Sequence, residues 1–151
     1  MILADEAATE ALGEALAEAL RVGDVVTLSG PLGAGKTTLA RAVLRTLGEP
    51  GDVPSPSFAL VQPYDTLALP VWHADLYRIE TADELDELGL DEILRDGALM
   101  VEWPERAPGA WPQALGLSLE PAGDGARRLT ALVPPSWKGR WPLPLPLPPD
   151  R

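Results

Sequence analysis

Apolar positions follow two rhythms along this chain. Leu12, Leu16 and Leu20 fall four residues apart in the alanine-rich stretch 5–21, which predicts one helix with a single apolar face. Gly23-Asp24 interrupts it, and Val25-Val26-Thr27-Leu28 then runs as a short β-branched strand of the fully buried kind. A second helix is predicted from Lys36 to Leu47, with Leu39, Val43, Leu44 and Leu47 facing a core and Gly48 as its stop.

Residues 48–57 read as loop. The stretches 58–64 and 70–75 read as two strands, and the short connection between them favours an antiparallel hairpin. Thr81-Ala82-Asp83-Glu84 is a capping box that opens a helix to about Leu94, with Gly89 as a weak point or break. Ala98-Leu99-Met100-Val101 is another buried strand and ends on Glu102. Residues 115–120 and 128–133 read as a last strand pair around Ala122-Gly123-Asp124-Gly125. Strands alternate with helices early in the chain. The expected fold is therefore α/β, a three-layer arrangement with a mixed, mostly parallel sheet flanked by helices. Residues 1–134 are expected to form this domain and residues 135–151 a proline-rich tail, extended over 141–149, for which disorder is favoured over docking on a neighbour.

The junction between the first apolar strand and the second helix carries the chemistry. Gly30-Pro31-Leu32-Gly33-Ala34-Gly35-Lys36-Thr37 fits the Walker A pattern in full, so the expected three-layer fold is of the P-loop NTPase kind. Gly33 and Gly35 accept backbone angles that bulkier residues resist, so the loop's N–H groups can converge on an anion. A helix N-terminus adds positive potential, Lys36 adds a full charge, and the Thr37 hydroxyl is a hard oxygen ligand for Mg²⁺. Pro31, Leu32, Gly33, Ala34, Gly35, Lys36, Thr37 and Thr38 are thus the expected phosphate-binding residues, with ATP and Mg²⁺ as the expected cofactors.

A magnesium ion held this way takes a further carboxylate from the end of a neighbouring strand. Glu102, after four apolar residues, is a cleaner candidate than Asp75, whose strand is interrupted by His73. Glu102 is assigned to the metal. Asp75 is left to orient or deprotonate the attacking water or to hold a metal-bound water, with a salt bridge to Arg78 as the competing reading. Lys36, Asp75 and Glu102 form the expected catalytic set. His73, the only histidine, reads as a packed or hydrogen-bonded residue before a catalytic one, and Trp103 is expected against the site.

Composition narrows this further. A length of 151 residues suits one domain, and a net charge of −11 disfavours direct long-range attraction to nucleic acid or anionic lipid. The chain has no cysteine, which removes disulfides, thiolate metal sites and thiol nucleophiles. No apolar run is long enough for a membrane span, and no basic leader precedes the first helix, so the expected location is the cytoplasm.

Four segments taken together resemble one family. They are the glycine loop with Pro54-Ser55-Pro56-Ser57-Phe58-Ala59-Leu60-Val61, then His73-Ala74-Asp75-Leu76-Tyr77-Arg78, then Glu84-Leu85 with Gly89, then Val101-Glu102-Trp103-Pro104-Glu105. In order and spacing they resemble the bacterial TsaE (formerly YjeE) family over roughly residues 5–106. The resemblance implies the ATPase of the machinery that makes threonylcarbamoyladenosine in tRNA beside the anticodon. It implies TsaB and TsaD as partners, tRNA reached only through that complex, and ATP hydrolysis that resets the complex between turnovers. It implies that Thr37 and Glu102 contact Mg²⁺, that Thr9 lies near the nucleotide base, and that Ser55–Ser57 and the Asp75 segment act as switches. Ser57 stands where the family usually has threonine, and Pro31 where an acidic residue is common. A small-molecule kinase and a nucleotide-gated binding module are the competing readings. The first is disfavoured by the lack of an arginine-rich lid segment.

Overall fold

The computed structural model describes residues 1–31, 33–50, 53 and 61–145. Leu32, the Ser55–Ser57 segment and the start of the strand expected from residue 58 lie outside these residues. Among the described residues there is a 7-stranded sheet: β1 (Ile2–Leu3), β2 (Val25–Ser29), β3 (Val61–Tyr64), β4 (Val71–Asp75), β5 (Ala98–Glu102), β6 (Leu115–Pro121) and β7 (Arg127–Leu132). Their spatial order is β1-β7-β6-β2-β5-β4-β3. β4, β5, β2 and β6 run parallel, while β3 opposes β4 and β7 opposes both β6 and β1. The expected α/β class with a mixed, mostly parallel sheet is therefore the observed one. β1 is too short to announce itself by periodicity, and it is recognised only by its pairing with β7.

Side chains alternate across the sheet, so parity along each strand divides the core in two. Val26, Leu28, Val71 and Met100 pack on one face, with Leu12 and Leu16 of helix α1 (Glu6–Ala19) and Leu39, Val43 and Leu44 of helix α2 (Lys36–Thr46). Val25, Ala74, Leu99 and Val101 pack on the other face, against Leu85 of α3 (Ala82–Glu87), Leu88 just after it and Leu90 of α4 (Leu90–Ile93). This gives helix, sheet and helix layers.

Local signals explain the elements. Asp5 caps α1 by accepting from the Ala8 N–H at 2.8 Å, and Thr81 caps α3 by accepting from the Glu84 N–H at 3.2 Å. The helix expected through Leu94 breaks at Gly89, whose φ of 63° is left-handed, and this separates α3 from α4. α1 and α2 approach closely because Gly13 has no side chain. A Cβ there would strike the Ala42 Cβ and the Leu39 carbonyl.

The first part of the expected tail is not free. Trp137, in a 3₁₀ turn at Pro135–Trp137, is fully buried in the α1/α2-side core, and Leu143 is also buried there. Arg140 clamps this segment by a two-pronged contact with Asp24, at 2.7 and 3.1 Å, while its guanidinium lies over the Trp137 ring. The proline-rich composition masks a large aromatic anchor, and burial of that ring outweighs the extended preference of its neighbours.

Candidate functional site

Three parallel strands bring their carboxyl ends together. The register pairs Leu28 of β2 with Glu102 of β5, and Glu102 with Asp75 of β4. Open α/β sheets gather ligands at such ends. Parity then selects the face. His73, Asp75 and Glu102 share the register of Val71 and Met100, which pack on the α2 side, so all three point toward the helix that begins with Lys36 and Thr37.

The glycine loop joins β2 to α2. Gly30 has a φ of 139°, and a Cβ there would collide with the Leu119 carbonyl of β6, so no other residue fits. Gly33 and Gly35 also take left-handed values, 78° and 101°, and Gly35 directly precedes the helix. Ala34 is fully buried and its N–H donates to the Pro31 carbonyl at 3.1 Å, while Pro31 itself is exposed. Thr37 and Thr38 are half-buried in the first turn of α2.

The Lys36 side chain folds inward and is only 5% exposed. Its ammonium donates to the Gly30 carbonyl and sits 3.9 Å from the centre of the Trp103 ring. Burial pushes the Lys36 amine below the usual lysine range, and the charges of Glu102, Glu105 and Asp75 act against that shift. Trp103 therefore lies against the site, as expected. It does so from a left-handed conformation, φ 58°, that is uncommon for a bulky residue and turns the chain sharply after Glu102.

Glu102 is 3% exposed, and its Oε2 lies 2.6 Å from Nε2 of the fully buried His73. Asp75 is also buried, and its Oδ1 accepts from the Tyr77 N–H at 2.9 Å. Among the described residues, no group of three or more His, Cys, Asp or Glu side chains is gathered to hold a metal. One carboxylate and one hydroxyl, Glu102 and Thr37, suit a small hard cation that keeps water and shares phosphate oxygens, rather than a metal caged by protein alone.

Thr9 is 2% exposed on α1 and lines a cavity of about 150 Å³ with Glu6, Gly35, Thr38, Gly125 and Arg127. Arg127 escaped the sequence reading. From β7 its guanidinium donates to the Gly33 carbonyl at 3.0 Å and lies beside Gly35. The last strand pair thus supports the loop from outside.

The family model described as threonylcarbamoyl adenosine biosynthesis protein TsaE matches residues 3–129. The chain belongs to the TsaE family. Its matched stretch extends beyond the resembling motifs to the β6–β7 pair that carries Arg127. A relative from Bacillus subtilis, named tRNA threonylcarbamoyladenosine biosynthesis protein TsaE, is 40% identical over 81% of this chain and 77% of its own length. A relative of the same name from Rickettsia felis is 40% identical over 70% of this chain, and the match spans 62% of that protein. The fold resembles the crystal structure of Bacillus subtilis YdiB, with a TM-score of 0.72 and 32% identity, covering 87% of this chain and 82% of the other. Membership of the TsaE family places the protein in tRNA threonylcarbamoyladenosine biosynthesis. No helix among the described residues is long and apolar enough to cross a membrane.

Proposed function

We propose that this member of the TsaE family is a Mg²⁺-dependent ATPase that drives turnover of a cytoplasmic TsaB–TsaD complex modifying tRNA. One observation carries the reading. A glycine loop between β2 and α2 turns the buried Lys36 side chain inward, and Glu102 closes the strand adjacent to the loop's own on the face that α2 covers.

The loop N–H groups and the α2 N-terminus receive the phosphates of ATP, and Lys36 exchanges the Gly30 carbonyl for phosphate oxygens. Thr37 and Glu102 would hold Mg²⁺, which would neutralise charge on the phosphates. Asp75 orients the attacking water or accepts its proton. Thr9 and the cavity beside it receive the base end of the nucleotide, and Arg127 keeps the loop's outer carbonyl engaged so that its N–H groups face inward. Catalysis is then mainly positioning and charge neutralisation. The segment of Asp75 senses the terminal phosphate, and its response to phosphate release alters affinity for the partners. The acidic chain reaches tRNA through those partners rather than directly.

The test is ATP hydrolysis by the purified protein alone, and with TsaB, TsaD and tRNA. Slow turnover alone and faster turnover in the mixture are expected. Absence of Mg²⁺-dependent ATP cleavage in both would remove the ATPase reading.

A further inference from the structure

We infer that His73 is a positioning residue for Glu102: its Nε2–H ties down one carboxylate oxygen, Oε2, and so aims the other, Oε1, at the metal. The inference rests on the proposed Mg²⁺ role of Glu102 and assigns that role a second residue.

The geometry leaves His73 little else to do. It sits in β4 between Val71 and Asp75 in register and pairs with Met100 of β5, two positions before Glu102 on the same face. The ring is fully buried, and its Nδ1 has no hydrogen-bond partner among the described residues. An ionised carboxylate only accepts, so in this pair Nε2 is the donor. An apolar ring would fill the same space without burying an unmatched nitrogen, which is unfavourable. What imidazole adds is the 2.6 Å bond to Glu102, a charge-assisted contact in a site shielded from water.

That bond has a positional consequence. Glu102 ends its strand, and Trp103 turns the chain away immediately after it. A glutamate there has three side-chain torsions and a nearby ammonium, Lys36, to draw it aside. Anchoring Oε2 to a ring fixed in the sheet core removes most of that freedom before any cation arrives. Residues that orient metal ligands in this way typically change metal affinity or activity by about ten- to a hundredfold when lost.

The experiment measures affinity for a non-hydrolysable ATP analogue by calorimetry, in EDTA and in Mg²⁺, using the full chain. The readout is the gain in affinity that Mg²⁺ confers. His73→Leu is expected to bind the analogue in EDTA within about twofold of the wild type and to lose about tenfold or more of the Mg²⁺ gain. His73→Gln, which can place an amide N–H where Nε2 lies, is expected to keep most of the gain. His73→Asn, too short to reach Oε2, is expected to lose it. The Gln and Asn pair decides the matter even if the Leu variant does not fold. In a Glu102→Gln background, changing His73 is expected to have no further effect on the gain. A full Mg²⁺ gain in His73→Asn, or an equal loss in EDTA and Mg²⁺, overturns the role of His73 and leaves the ATPase reading standing. No Mg²⁺ gain in the wild type overturns both.

Discussion

Lys36 and Glu102 are local in sequence terms: one belongs to a contiguous motif, the other closes an apolar strand. Both were therefore legible without coordinates. Arg127 was not, because its bond to Gly33 spans 94 residues and ends on a backbone carbonyl, which leaves no trace in side-chain pattern. The bond between His73 and Glu102 was hidden for a related reason. Strand register, not spacing along the chain, brings them together. If the proposed roles hold, Lys36→Ala abolishes most nucleotide binding by calorimetry. Glu102→Ala instead lowers Mg²⁺-dependent hydrolysis more than binding, and unchanged turnover in that variant would disprove its assignment. Tyr64 offers an independent residue-scale check, away from the loop. Its hydroxyl is buried with no partner among the described residues, and burial, with Glu49 nearby, raises the phenol above its ordinary value of 10.0. The folded protein therefore holds this proton after the unfolded chain has released it. Stability is intact below the unfolded value and falls as pH rises through the raised folded one. Tyr64→Phe, which removes a buried unpaired hydroxyl, should be at least as stable as the wild type in urea unfolding at neutral pH and lose less stability above about pH 10.

At the scale of elements, the strands and helices with strong periodicity were predicted to within a few residues, as β2, α2 and β5 illustrate. Misplacements have specific causes. The helix expected through Leu94 is cut by a left-handed Gly89, and β1 exists only because β7 provides a partner. The packing of α1 on α2 was also invisible, since Gly13 interrupts an otherwise good helix former and reads as a defect. In the structure it is the contact point. Gly13→Ala gains about 1 kcal/mol of helix propensity but forces the Ala42 methyl and the Leu39 carbonyl to move, an overpacking of about 1–3 kcal/mol. A net loss of up to about 2 kcal/mol is expected in chemical denaturation. A variant more stable than the wild type would show that the two helices can separate freely.

For the whole molecule, the α/β class followed from the alternation of elements, but the packed C-terminal stretch did not. Proline-rich composition argued for extension, and only the three-dimensional slot for Trp137 reveals why the chain returns to the core. Ending the chain at Pro134 removes that ring together with Arg140 and Leu143. The loss should be at least about 3–5 kcal/mol, the usual effect of emptying a buried aromatic site, and is measurable as a lower urea midpoint. An unchanged midpoint would mean that the segment contributes no net stability. The two margins of the sheet have a different consequence. One is β1, only two residues long, and the other is β3, which carries Pro63. Short or proline-bearing borders are poor templates for a foreign strand. Recognition of this protein by strand addition is therefore disfavoured at either border, as is growth into fibres. Any partner is left to read its loops and helical surfaces, which on the proposed function is where a change in the bound nucleotide would be felt.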